Sequence, residues 1–272
     1  MAEINSTRSG CKDVFHAFLV ENATYDGDLE IPRIAPEDSL PMELIRFSKA
    51  MSTKEGNPDA WVHFYEDDAA FERLWNNSRK YLPILKRFGG IITPDFSLYR
   101  DMPLVMQHWN IYRSRAIGHW LQENGVPVIV NVRYGDNRTY ATSCLGVPKD
   151  CSIAVGSHGC LKLTKDKDFF AKGLTYIVEE LHPRAIIVYG AAPESIFGKY
   201  TAAEIRILQF DSDFAILGTV SPPFFQRQFQ RKSLSVFLLH IGIRSLLGSL
   251  TPASHRSAVR HPASRQCHIF VR

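Results

Sequence analysis

Short apolar runs alternate with helical segments along most of this chain. Five times between Trp61 and Phe210, an apolar run of strand character ends in polar residues, a helix or turn follows, and another apolar run begins. Runs spaced by roughly one helix are typical of parallel strands joined by crossovers, so the pattern predicts an α/β fold. The predicted strands are 61–65, 90–93, 126–132, 152–155, 185–188 and 205–210.

The expected architecture is a mainly parallel sheet of five or six strands with crossover helices. The sheet is either open and doubly wound or an incomplete barrel, and the pattern leaves both alternatives open. Ahead of it, residues 28–35 predict an edge strand interrupted by Pro32, and residues 39–52 predict a turn followed by a helix.

The longest predicted helix lies between Asp101 and Gly125. Asp101 is placed to be its N-cap, and Gly125 is placed to end it. Apolar residues at helical spacing predict a stripe that faces the core: Val105, Trp109, Tyr112, Ala116 and Trp120. We therefore interpret these aromatic residues as core residues, not as a platform for stacking bases.

Charge divides the chain into regions of different character. No Asp or Glu follows Phe214, and the remaining 58 residues contain seven Arg and one Lys, a net charge of +8. The rest carries 24 basic and 28 acidic residues, a net charge of −4. We predict an N-terminal segment at 1–28, an α/β domain at 29–214, and a basic, acid-free extension at 215–272.

Three hypotheses account for the extension. Its Ser, Arg, His and Pro content favours a frame-shifted or disordered terminus. A genuine basic arm would contact nucleic acid phosphates, and nucleic acid is a partner only in that case. A membrane-surface helix at 234–250 is disfavoured by Gly242 and Gly248, so no membrane partner is expected.

Composition is that of an ordinary globular protein, with 45% hydrophobic and 22% charged residues. No run of about 18 uncharged apolar residues occurs, and residues 1–13 lack the apolar core of a signal peptide. We therefore expect a cytoplasmic protein whose five cysteines are free thiols.

Four segments carry a resemblance to a known family. They are GGIITPDFSLYRDMPLVMQHWNIYRSRAIG at 89–118, WLQENGVPVIVNVRYGD at 120–136, AVGSHGC at 154–160 and IVYGAAPESIFG at 187–198. Over about residues 29–210 the chain resembles the bacterial and phage family called domain of unknown function 4417. The resemblance implies a cytoplasmic protein of phages and mobile elements. It brings no activity, cofactor or catalytic residue with it.

Acidic residues follow several predicted strands. Because the carboxyl ends of parallel strands share one edge, these side chains are expected to gather there, where carboxylates can hold a divalent cation such as Mg²⁺ or act as acid and base. The alternative is that each serves as a turn or N-cap residue, which is the commoner role. The residues are Glu66, Asp67, Asp95, Asp136 and Asp211. No other cofactor is indicated.

Asp95 is the predicted catalytic residue among them, since it directly follows a strand and Pro94. Arg133 comes at the end of a buried strand, near Asn131, and needs an anion to offset its desolvation. That anion is either a ligand or an internal partner such as Asp95 or Asp136. We predict that Asn131, Arg133 and Asp136 bind ligand.

The loop at 156–160 is the second candidate. Gly156 lets backbone N–H groups approach an anion, Ser157 is a further ligand-binding candidate, and His158 adds a general base and a second catalytic candidate. The alternative is a structural turn. Neither a Walker loop nor G-x-G-x-x-G occurs, so no phosphate motif names the ligand.

These observations lead to one functional hypothesis and one alternative. The first is a site at the carboxyl ends of the strands that binds or processes a small anionic ligand, with a nucleotide as one such ligand. The alternative is a non-enzymatic accessory protein that contacts protein or nucleic acid. The pattern does not decide whether the protein is an enzyme.

Overall fold

A computed structural model describes residues 13–212 of the protein. Its main sheet has seven strands, all parallel, in the order in which they occur along the chain. They are β3 (Glu43–Arg46), β4 (Asn57–His63), β5 (Phe88–Ile92), β6 (Val128–Asn131), β7 (Ser152–Gly156), β8 (Ala185–Tyr189) and β9 (Arg206–Phe210). The predicted α/β class and the parallel sheet are confirmed.

Helices connect the strands. They are α1 (Phe47–Ser52), α2 (Asp68–Asn76), α3 (Ser78–Leu85), α4 (Leu104–Glu123), α5 (Tyr140–Cys144), α6 (Thr164–Leu181) and α7 (Glu194–Ala202). A 3₁₀ turn (Ala17–Val20) and a short antiparallel pair, β1 (Tyr25–Asp26) with β2 (Ile31–Pro32), precede the main sheet. The predicted edge strand at 28–35 is therefore reduced to the two residues of β2.

The sheet curls into an incomplete barrel. The rings of His63 on β4 and Tyr189 on β8 lie 4.5 Å apart between centroids, although three strands separate β4 from β8 in the sheet. Only a curved sheet can bring those two strands so close, since neighbouring strands are each about 4.8 Å apart. The curl decides between the two predicted arrangements in favour of the incomplete barrel.

Side chains alternate between the two faces of the curled sheet. The outer face packs against the helices in the main core, with residues such as Val62, Val130 and Ile186. The inner face forms a smaller cluster that includes Trp61, Ile129 and Tyr189. This period of two fixes which residues after each strand point into the concave side.

The predicted helix at 39–52 is wrong in its first part. Residues 43–46 form β3, with Leu44 paired to Trp61 and Arg46 paired to His63. Only Phe47–Ser52 is helical. β3 raises the number of strands in the main sheet to seven, where five or six were predicted, and its pairing with β4 overrides the helical spacing of Leu44, Ile45 and Phe47.

Helix α4 begins at Leu104 with Pro103 as its N-cap, so Asp101 lies outside it. Gly125 follows the C-cap at a left-handed φ of +76°, as its predicted role requires. The predicted stripe is partly wrong, because Val105 and Trp109 are 74% and 46% exposed. The buried face instead carries polar side chains, among them Arg113 and Arg115.

Two predictions lie outside the described residues: the extension at 215–272 and nearly half of the N-terminal segment. None of the helices between residues 13 and 212 combines the length and the apolar character that a membrane span needs.

Candidate functional site

Four polar side chains meet at the carboxyl ends of β4, β5 and β6, and we call them the inner cluster: Tyr65, Asp95, Asn131 and Arg133. The Asn131 Nδ2 donates to Asp95 Oδ1 at 2.7 Å, and the Tyr65 hydroxyl donates to Asn131 Oδ1 at 3.1 Å. Arg133 Nη1 lies 3.6 Å from Asp95 Oδ2. Asn131 therefore holds both a hydroxyl and a carboxylate in fixed orientation.

The strand ends position these groups through a second set of hydrogen bonds. Asn131 is the last residue of β6, and its backbone N–H donates to Thr93 Oγ1 at 2.9 Å. The Ser114 hydroxyl on α4 donates to the Pro94 carbonyl at 2.8 Å, directly before Asp95. Helix α4 thus holds the residues that follow β5 against the end of β6.

Arg133 retains donor capacity. The 3.6 Å between Arg133 Nη1 and Asp95 Oδ2 is longer than a charge-assisted hydrogen bond, which usually measures about 2.7–2.9 Å. Its Nε is buried and has no hydrogen-bond partner among the described residues. The carboxylate of Asp95 raises the pKa of Arg133 above its usual range, which outweighs burial. The guanidinium is therefore a permanent cation with an unused donor.

Aromatic rings form one wall beside the inner cluster. Tyr65 stacks on Tyr189 with centroids 4.7 Å apart and an interplanar angle of 11°. Burial, with a smaller contribution from Asp95, raises the pKa of Tyr65 well above 10. The Tyr65 hydroxyl therefore stays protonated and acts as a donor to Asn131 at neutral pH.

His63 lies behind this wall as a neutral imidazole. It is 1% exposed, and its Nδ1 accepts the backbone N–H of Tyr65 at 3.2 Å, which assigns the ring proton to Nε2. Burial, followed by the charge of Arg46, lowers the pKa of His63 to about 3. His63 is therefore uncharged across the physiological range.

A second group of charges, which we call the outer cluster, lies in the loops around the inner one: Arg100, Asp136, Arg138 and Asp166. Asp136 forms a two-pronged ion pair with Arg138, whose Nε and Nη2 both lie 2.9 Å from a carboxylate oxygen. Arg138 Nη2 also donates to the Arg100 carbonyl at 2.7 Å, and Arg100 pairs with Asp166. These bonds fasten the loops after β5 and β6 to the first turn of α6.

The structure brings three of the predicted site residues together: Asp95, Asn131 and Arg133. Of the two predicted internal partners of Arg133, it places Asp95 beside the guanidinium, whereas Asp136 pairs with Arg138. Gly156 lies next to the inner cluster, because a Cβ added there would stand 2.9 Å from the Tyr65 ring. Its lack of a side chain is what allows Tyr65 to pack there.

The other loop residues lie toward β8. The Ser157 hydroxyl donates to the Ala191 carbonyl at 2.7 Å, which joins the exits of β7 and β8. The backbone N–H of His158 donates to the Tyr189 carbonyl at 3.3 Å. Burial, and then the charge of Lys162, lowers the pKa of the half-buried His158 imidazole. Their predicted roles stay predictions.

Four of the acidic residues expected at this edge bond to partners that are not carboxylates: Glu66, Asp95, Asp136 and Asp211. Glu66 accepts hydrogen bonds from the backbone N–H and hydroxyl of Ser48, and Asp211 accepts one from Gln209. Within residues 13–212, no group of three or more His, Cys, Asp or Glu is arranged to hold a metal ion. The acids after the strands thus take separate partners, as the turn and cap alternative implies.

Sequence reasoning missed Tyr65, His63 and Tyr189 as parts of the site. A signal was available for two of them, because Trp61, His63 and Tyr65 are alternate residues along β4 and just beyond its end, and alternate residues of a strand share one face. Tyr189 joins them because the sheet curls and brings β8 close to β4, and no local pattern in the sequence shows that curl.

The architecture defines a class: a parallel α/β incomplete barrel with a cluster of polar side chains at the strand ends. The chain belongs to the family described as Domain of unknown function (DUF4417), whose sequence profile matches residues 23–211. This match confirms the resemblance seen in the four segments.

Two phage proteins are similar to the chain. The Gene 1 protein of Mycobacterium phage L5 is 30% identical over 189 residues, which cover 68% of this chain and 80% of the relative. The Gene 1 protein of Mycobacterium phage D29 is 31% identical over 162 residues, covering 59% of this chain and 60% of the relative. No solved structure matches the chain. The protein is therefore of a phage type.

Proposed function

We propose that the inner cluster binds a small anionic ligand, and that Arg133 is the residue that receives its negative group. The observation that carries this proposal is the buried Nε of Arg133, which has no hydrogen-bond partner among the described residues. A buried donor without a partner is costly, on the order of 1–3 kcal/mol, so a ligand oxygen that accepts from it gains that energy back. Carboxylate and phosphate match the guanidinium geometry best.

The position of the cluster supports the same proposal. Ligands of parallel α/β proteins bind outside the carboxyl ends of the strands, and the inner cluster lies at three consecutive strand ends. Asn131 and Tyr65 supply polar groups on one side, and the stacked Tyr65 and Tyr189 rings supply an aromatic wall. A phosphate attached to a planar base, as in a nucleotide, combines both features and is the first ligand class to test.

Asp95 has a defined part in this proposal. It is 13% exposed, and its Oδ2 competes with the ligand for Arg133. If the site also processes its ligand, Asp95 and His158 are the groups for proton transfer. Gly156 and Ser157 supply backbone groups at the carboxyl end of β7. Asp136 acts through its ion pair with Arg138, which fixes the loop after β6.

A thermal-shift screen with inorganic phosphate, sulfate, nucleotides and sugar phosphates tests the proposal. We expect a concentration-dependent rise in melting temperature for the wild type, because a ligand that binds only the folded state stabilises it. Arg133→Met removes the response, and Asp95→Asn strengthens it by freeing the guanidinium. Arg138→Met is the matched control, since it removes an arginine of the outer cluster. Equal responses of Arg133→Met and the wild type contradict the proposal.

The alternative function, an accessory protein that contacts macromolecules, is favoured by the uneven charge of the chain. Residues 215–272 carry a net charge of +8 and no acid, which suits contact with phosphates of nucleic acid. Fluorescence anisotropy with labelled DNA and RNA separates the two functions. Binding that disappears when the chain ends at residue 214, with no response to small anions, supports the alternative.

A further inference from the structure

Arg115 is buried in α4 directly behind the inner cluster. It is 1% exposed, and each of its guanidinium nitrogens donates to a backbone carbonyl. Nη1 donates to Asn131 at 3.2 Å, Nη2 to Ser143 at 2.8 Å and Nε to Leu145 at 3.2 Å. The side chain is thus fully hydrogen-bonded without any charged partner in these three bonds.

The charge of Arg115 is not balanced by a carboxylate. Within residues 13–212 it forms no ion pair, whereas Arg113, two residues earlier on the same helix, pairs with Glu72 at 2.7 Å. Burial lowers the pKa of Arg115 to about 10, so the side chain is still a cation at neutral pH. A buried charge without a carboxylate partner is expensive, and the three bonds to carbonyls are what offset that cost here.

The three carbonyls show what Arg115 joins. Asn131 is the last residue of β6, while Ser143 and Leu145 belong to the end of α5, where carbonyls lack partners within the helix. The Ser143 hydroxyl in turn donates to the Arg133 carbonyl at 2.7 Å. Arg115 therefore holds the backbone carbonyl of Asn131, and Ser143 holds that of Arg133, so the chain is fixed on both sides of Val132.

We infer that Arg115 is a positioning residue of the anion site, which orients Asn131 and holds behind it a positive charge that has no carboxylate partner within residues 13–212. This inference rests on the proposed function. The charge of Arg133 is acted on by Asp95 and, with a smaller effect, by Asp68, whereas Arg115 forms no ion pair in that range. The ligand group that we expect is therefore one with at least one full negative charge, such as a phosphate, and not a neutral sugar or base alone.

Isothermal titration with inorganic phosphate tests this role in full-length variants. Arg115→Gln keeps hydrogen-bond donors and loses the charge, and we expect its phosphate affinity to fall on the order of tenfold. Arg115→Lys keeps the charge, and we expect an affinity within about threefold of the wild type. Arg113→Gln and Arg113→Lys are the matched controls, because that buried arginine is neutralised by Glu72. Both should bind phosphate as the wild type does.

The outcomes separate the two proposals. Phosphate binding by the wild type with equal affinity in Arg115→Gln overturns the role of Arg115 and leaves the proposed function standing. No phosphate binding by the wild type overturns both. If Arg115→Gln does not fold, folded Arg115→Lys decides, and a loss there of more than about tenfold overturns the charge argument.

Hydrogen exchange of the wild type adds a measurement without substitution. We expect saturating phosphate to slow exchange of the amides at 140–146, which Arg115 joins to Asn131, and to leave α7 unchanged. Unchanged exchange at 140–146 overturns the coupling.

Discussion

The inner and outer clusters contain similar residues after neighbouring strands, yet they differ in how completely they are paired. In the outer cluster, Asp136 accepts from two nitrogens of Arg138, and Arg100 pairs with Asp166. In the inner cluster, Arg133 stands 3.6 Å from Asp95 and keeps a buried Nε without a partner. Residue type alone therefore does not decide how completely an arginine at a strand end is paired.

Burial is the second difference. Arg138 is 45% exposed, so water can solvate whatever its partners leave unbonded, whereas the Arg133 Nε is out of contact with water. An unmet donor costs little at the surface and much in the interior. Of the two clusters, the inner one is therefore where we expect a ligand to gain more by completing the hydrogen bonds.

The largest expected effect comes from Asn131→Leu in the inner cluster. The change removes the partner of both the Tyr65 hydroxyl and Asp95, so we expect a loss of about 3 kcal/mol in the free energy of unfolding. Urea denaturation measures it. Asn137→Leu, an exposed neighbour of the outer cluster, is the control and should change stability by less than about 0.5 kcal/mol. An equally small loss of unfolding free energy in both variants would contradict the proposed difference between the clusters.

Mild acid should destabilise the protein through His63, which lies beside the inner cluster, and not through the ion pair of Asp136 in the outer cluster. The pKa of His63 is about 3 in the folded protein and about 6.5 when unfolded, so the unfolded state binds more protons between those values. Stability contributed by neutral His63 is complete above pH 6.5 and falls by about 1.4 kcal/mol for each pH unit below it.

Denaturation at pH 7, 6 and 5 measures the slope of the unfolding free energy against pH. In His63→Gln this slope should be smaller by the contribution of about one proton. The Asp136 pair is unaffected in this range, because Arg138 lowers the pKa of Asp136 and its contribution is lost only in stronger acid. An identical slope in the variant would place the acid sensitivity elsewhere.

Gly156→Ala should disturb the inner cluster through Tyr65. The added Cβ would lie 2.9 Å from two ring carbons, and the stacked Tyr189 restricts the movement of the ring. We expect a loss of about 1–2 kcal/mol in unfolding free energy. A double-mutant cycle with Tyr65→Leu should be non-additive, because the smaller side chain removes the contact. Simple additivity would show that the ring does not restrict this position.

The smallest expected effect is that of Asp136→Asn in the outer cluster. Exposed ion pairs contribute little to stability, so the melting temperature should fall by less than about 2 °C. The difference from the wild type should disappear in 1 M NaCl, because the screening length there is only about 3 Å. Thermal unfolding at low and high salt measures it. A large, salt-independent loss would make the outer cluster as important as the inner one.

The sequence predicted the fold class because parallel strands buried on one or both faces leave a strong apolar signal. Val128–Asn131 and Ala185–Tyr189 are such strands. Glu43–Arg46 was missed because four residues beside a genuine helix carry too little pattern, and the pairing with β4 decides their conformation.

The inner cluster was predicted in part. Asp95, Asn131 and Arg133 were expected near one another because each stands at a strand exit, which places it at the rim of any parallel sheet. The buried position of Arg115 was not predicted, because a charged residue in a helix is ordinarily exposed, and here three carbonyls receive the guanidinium. The predicted stripe of α4 is wrong at Val105 and Trp109, since polar residues such as Arg113 and Arg115 occupy part of the buried face, while Ala116 and Trp120 are buried as expected.

A crystal structure of the full chain with selenate at low millimolar concentration tests the central claim most directly, because anomalous scattering locates the anion. We expect one strong site within hydrogen-bond distance of the Arg133 guanidinium, beside Asn131, and its loss in Arg133→Met crystals. Selenate bound only at Arg100 or Arg138, or an inner cluster without anion in crystals that bind it elsewhere, would contradict the account.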